Sequence, residues 1–74
     1  MSDKATELRD AYAAAVLAFN AASAILILAL AADARPTDEQ IAAEMEARAD
    51  VESARERLWA EYAKKSSANV PNAV

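Results

Sequence analysis

Glu44, Arg48, Glu52 and Arg55 alternate in sign at spacings of four, four and three residues, and Met45, Trp59 and Tyr62 fall beside them. On a helix these positions share one side. Two chemistries would use such a set. Glu44 and Glu52 offer oxygens that a metal ion takes, but the guanidinium groups of Arg48 and Arg55 stand beside them and compete for those oxygens. The other chemistry is recognition, because arginine, tryptophan and tyrosine are the side chains that most often anchor protein–protein interfaces. Met45, Arg48, Glu52, Arg55, Trp59 and Tyr62 are therefore the candidate partner patch. The plainer alternative is a solvated face of ion pairs contributing about 0.2–0.5 kcal/mol each. In that case Trp59, the only tryptophan, simply closes the end of a core.

Catalysis lacks its usual parts. The chain has no histidine and no cysteine, so its serines, Tyr12 and Tyr62 have no imidazole to activate them. Structural zinc sites and the Glu-x-x-His pairs of di-iron bundles are excluded on the same ground. Glycine is absent as well, which removes the phosphate-cradling loops that depend on it. The expectation is a protein that is not an enzyme, with no catalytic residues, no cofactor and no metal.

The elements that position the patch are helical. Alanine, leucine, glutamate and arginine dominate, all strong helix formers. The one internal break is Asp33-Ala34-Arg35-Pro36-Thr37, where Pro36 disfavours helical geometry at Arg35. Thr37 and Gln40 stand in capping-box spacing. The pattern predicts helix 1 over about 3–34 with Ser2 as its cap, a turn at 35–37, helix 2 over about 38–65, and a flexible tail at 67–74. Asp38 and Glu39 suit the start of helix 2, and Lys64 and Lys65 its end. At 1.5 Å per residue the helices are about 48 and 42 Å long. Joined by so short a turn, they are expected to lie antiparallel as one hairpin over 1–66.

Two apolar seams run along helix 1. Leu8, Tyr12, Ala15, Phe19, Ala22, Leu26 and Ala29 form the first, and Ala14, Leu17, Ala21, Ala24, Leu28 and Ala31 the second. They point in nearly opposite directions. Helix 2 is more polar, with Ala47, Val51, Ala54 and Leu58 as its seam, widened by Ile41, Met45, Trp59 and Tyr62. One helix covers one seam and not both, so a chain of 74 residues with no disulfide is expected to find its remaining stability in partners. Leu17, Ala21, Ala24 and Leu28, with Phe19 and Leu26, are the candidate self-association residues. Asn20 lies between the seams, either bonded to water or neighbours, or buried across an interface where it sets register.

The resulting expectation is an all-α antiparallel helical hairpin that pairs, coiled-coil fashion, into a homodimeric four-helix bundle. A hairpin that dimerises in this way resembles, in architecture alone, the RNA-binding Rop proteins of plasmids; no sequence motif is shared. A net charge of −4 and no basic stripe disfavour nucleic acid. The functional expectation is a cytoplasmic regulator, inhibitor or assembly factor that binds itself and another protein. Its small, acidic, alanine-rich composition suits a bacterial or phage accessory protein.

The rival expectation is a single-span subunit of the inner membrane, with residues 11–32 in the bilayer and helix 2 as a polar stalk. The uncharged run is long enough to span. Its strong apolar residues are Val16, Leu17, Phe19, Ile25, Leu26, Ile27, Leu28 and Leu30, which favour insertion by only about 0.3–0.6 kcal/mol each. Ala29-Leu30-Ala31 has the small-x-small form of a leader-cleavage site, but Asp3, Glu7 and Asp10 outnumber Lys4 and Arg9 ahead of it. A leader has the reverse charge and a shorter apolar run, so none is expected.

Overall fold

A computed structural model describes residues 3–69, with side chains described as far as residue 64. The expected cap Ser2 and residues 70–74 lie outside the described residues. Two helices make up the fold: α1 (Lys4–Ala31) and α2 (Asp38–Asn69). They lie antiparallel in contact, since Tyr12 near the start of α1 meets Trp59 late in α2, and Phe19 meets Arg48. Among the described residues there is no strand.

Both helix lengths depart from expectation. α1 stops at Ala31, three residues short of 34, because the chain reverses in a Schellman motif. Asp33 takes a left-handed φ of 59°. Its N–H donates to the Leu30 carbonyl (3.0 Å), and the Ala34 N–H to the Ala29 carbonyl (2.9 Å). Glycine usually fills this position; here an aspartate, which tolerates left-handed geometry better than most side chains, does so. At the other end α2 continues through Asn69, past the expected stop at 65, as no helix breaker stands before Pro71. Residues 67–69 are thus helical rather than part of a tail. Lys64 and Lys65 consequently lie before the last turn, and no basic residue occupies it.

The start of α2 follows the sequence. The Thr37 N–H donates to Gln40 Oε1 (2.9 Å), and the Gln40 N–H to Thr37 Oγ1 (3.1 Å). Each bond satisfies a donor that the helix leaves orphaned. Arg35 reaches forward to Asp38 (3.1 Å), an exposed pair of small energetic weight, and Pro36 is buried beneath the turn.

The hairpin core is thin. α1 turns the first seam inward, with Ala5 buried and Leu8, Tyr12, Ala15, Phe19, Ala22, Leu26 and Ala29 half-buried. α2 answers with Ala54 and Leu58, the latter 3% exposed, and with half-buried Ala47 and Val51. Among the described residues no large side chain is completely enclosed. Two helices meeting along one stripe cannot do more, because each has its remaining circumference turned to solvent.

Candidate functional site

The most exposed apolar surface is the side of α1 facing away from α2. Leu17 is 69% exposed and Leu28 70%, and Ala14, Ala21, Ala24 and Ala31 of the same seam are exposed beside them. Ile25 and Ile27 flank the seam, and Leu30 stands near the hinge; all three are exposed. No charged residue interrupts α1 after Asp10. A contiguous apolar face of this kind marks a contact surface for protein or lipid. By length and composition α1 also suffices to cross a membrane: the mean hydropathy of its apolar window is 2.3, and none of that window is buried.

The structure divides the candidate self-association residues. Leu17, Ala21, Ala24 and Leu28 lie on the open face, whereas Phe19 and Leu26 are half-buried in the seam facing α2. Phe19 has a partner already, as the Arg48 guanidinium lies 6.0 Å from its ring centroid, a cation–π contact. Ile25, Ile27 and Leu30 were outside the seam pattern. For the two isoleucines the signal is the unbroken run 25–28, which puts bulky residues on every side of a helix; Leu30 lies beyond it. Asn20 is exposed at the edge of the open face.

The candidate partner patch forms a ridge along α2, and its members have different surroundings. Glu44, expected on a solvated face beside that ridge, is instead buried, at 7% exposure. Arg48 Nη2 donates to Glu44 Oε2, so the carboxylate carries its counter-ion with it. Extending the Ala47-Val51-Ala54-Leu58 seam by three residues at each end reaches Glu44 and Glu61, and Glu61 is likewise largely covered, 3.7 Å from Lys64. The inner stripe of α2 thus keeps its 3–4 spacing through two acids. Met45, expected to widen that seam, is exposed instead. Glu52 and Arg55 are exposed and join no ion pair among the described residues.

Trp59 sits at the centre of an aromatic group. Its ring lies 6.3 Å from Tyr12, tilted by 55°, and 6.0 Å from Tyr62, nearly stacked at 27°. Such geometry is favourable for aromatic pairs. Trp59 nevertheless remains 52% exposed, and Tyr62 is exposed with it. Near this end of the hairpin, Lys4, Leu8, Arg57, Ala60, Glu61 and Lys64 line a shallow open cleft. Arg57 bonds to Ser53 Oγ (3.0 Å) and Lys64 is paired with Glu61, so two of its cations are engaged. No group of three or more acidic residues able to hold a metal ion occurs among the described residues.

What the fold defines is an all-helical hairpin with one helix unpartnered on its outer side. The chain matches no protein-family model, no curated protein and no solved structure.

Proposed function

We propose that this chain is a small non-enzymatic helical protein that self-associates through the outer face of α1 and acts by protein–protein contact. Two hairpins pair with their α1 helices in the middle and the polar α2 helices outside, a homodimeric four-helix bundle in a cytoplasmic setting. The observation that carries this reading is the seam of Leu17 and Leu28, about 70% exposed with no helix of its own chain over it. Burying such leucines contributes about 1.5–3 kcal/mol each, and a hairpin this thin needs that contribution. The partner patch on α2 then stays free on the outside of the assembly. A regulator, inhibitor or assembly factor works through a surface of that kind.

The second reading is a single-span membrane subunit with α1 in the bilayer, favoured by the mean hydropathy of 2.3 in its apolar window. Against it stands the pairing of the helices. α2 lies along α1, with Glu44 buried in the contact and Arg48 over Phe19. For α1 to enter lipid with α2 outside as a stalk, all of that contact would be given up.

Expression without detergent separates the two. A monodisperse dimer by light scattering in plain buffer supports assembly, and recovery only in the membrane fraction overturns it. Recognition by α2 is tested by replacing Arg55 and Trp59 with alanine. Arg48 is left in place because it neutralises Glu44. Binding of a partner identified by pull-down should weaken at least tenfold while the dimer persists; unchanged binding would remove the patch from the reading.

A further inference from the structure

The exposed seam of α1 is Ala14-Leu17-Ala21-Ala24-Leu28-Ala31. It reads the same from either end, in residue type and in its spacing of 3, 4, 3, 4 and 3. Any helix matches a parallel copy of itself in register. In an antiparallel copy this symmetry also sets leucine against leucine and alanine against alanine along the whole seam. We propose that the outer face of α1 pairs with the same face of a second copy running antiparallel, about a two-fold axis between Ala22 and Ser23. The inference rests on the self-association reading and gives it an orientation and a register.

About that axis Leu17 packs against the partner's Leu28, Ala21 against the partner's Ala24, and Ala14 against the partner's Ala31. Successive seam positions alternate as a and d of a heptad, and antiparallel coiled coils pair a with d across the interface, as this register does. The four central alanines let the backbones approach closely between two layers of leucine, and Ile25 and Ile27 flank them. Two electrical features select the antiparallel orientation. The positive end of each α1 dipole lies beside the negative end of the other. In this orientation Asp10, in line with the seam, is kept away from the partner's Asp10 and lies near the end of the partner that carries the Arg35–Asp38 pair. In a parallel pair Asp10 would face the partner's Asp10, a like-charge contact at the edge of an apolar interface.

The orientation has a consequence for recognition. The two Tyr12–Trp59–Tyr62 clusters lie at opposite ends of the dimer, about 31 Å apart along its axis. The assembly is therefore bivalent, with one site at each end.

The chain contains no cysteine, so single cysteines report on the register directly. The experiment prepares Ala14→Cys and Ala31→Cys in plain buffer and oxidises each alone and as an equimolar, re-equilibrated mixture. The expected result is a disulfide dimer joining one variant to the other in the mixture, and none from either variant alone. Two copies of the residue-14 thiol in one dimer lie about 26 Å apart along the axis, beyond the reach of a disulfide. Disulfide formation by Ala14→Cys alone would establish a parallel pair and overturn the proposal. No disulfide in the mixture, with a dimer mass for the unsubstituted chain by sedimentation equilibrium, would overturn the register while leaving self-association standing. A monomer mass for the unsubstituted chain would overturn both.

Discussion

Leu26 and Leu28 stand two residues apart on α1, yet one is half-buried beside α2 and the other is 70% exposed. The same division holds along the helix, with Phe19 covered by Arg48 while Leu17 faces outward. α2 treats its two sides differently. It turns Ala47, Val51, Ala54 and Leu58 inward and Glu46, Asp50, Glu56 and Arg57 outward. The outer side of α2 is already suited to water, whereas that of α1 has the composition of a core without the cover of one. Polarity is thus divided between the helices as well as between their faces, the division on which the self-association proposal rests.

The sharpest way to break this comparison is to charge the outer leucines. Leu17→Glu combined with Leu28→Glu removes four leucines from the proposed dimer and places four carboxylates in its seam. The dimer dissociation constant should rise more than about 1,000-fold, an effect of about 4 kcal/mol, as read by sedimentation equilibrium. If the mass at a given concentration is unchanged, the outer face is not the interface. The inner face supplies the control. Leu58→Ala opens a cavity where the hairpin is most closed and should cost about 2–3 kcal/mol. That lowers Tm by on the order of 10–20 °C, measured by circular dichroism. The milder Leu28→Ala sharpens the contrast. On a bare surface it shifts stability by less than about 0.5 kcal/mol, whereas on a covered one it lowers Tm in a concentration-dependent manner.

Glu44 and Arg48 sharpen the comparison on the other helix. Replacing Arg48 with methionine keeps its packing bulk over Phe19 but leaves the Glu44 carboxylate buried without a counter-ion. The expected cost is about 1–2 kcal/mol in urea unfolding, moderated because the arginine itself is largely exposed. The double variant Glu44→Leu with Arg48→Met should recover most of that loss, since an apolar pair of similar size suits the seam. Failure of the second change to rescue the first would mean that Arg48 matters for its contact with Phe19 and not for the charge beneath it.

These residues also mark how far the sequence could be read. The hairpin was legible because one proline, one capping box and uninterrupted helix formers leave a single place for the chain to turn. The division of α1 into two opposed seams was legible from spacing alone. Glu44 was not, because charge type and helical register disagree there. Its register belongs to the inner seam and its chemistry to solvent, and only the reach of Arg48 back across one turn reconciles them. The partner patch could be named but not weighed, since the same arginine that looks like an interface anchor is occupied within its own chain. The early end of α1 was hidden for a different reason. Ala32 and Ala34 are good helix formers, and nothing in their local pattern signals that Asp33 will take the left-handed position.

That hinge carries the smallest predictions, and they run in opposite directions. Thr37→Ala removes the hydroxyl that accepts the Gln40 N–H and should cost about 1 kcal/mol in thermal or urea unfolding. Asp33→Gly should do the reverse. A non-glycine residue in left-handed geometry costs about 1–2 kcal/mol, and glycine relieves that strain while giving back about 0.5–1 kcal/mol through the greater freedom of the unfolded chain. The net gain is about 0.5 kcal/mol, a rise in Tm of roughly 2–4 °C. Because the hinge is about 24 Å from Leu17 along the helix, the gain should persist in the Leu17→Glu background, where sites this far apart add independently. A loss of stability on Asp33→Gly would instead mean that the aspartate side chain contributes more to the turn than its backbone strain takes away.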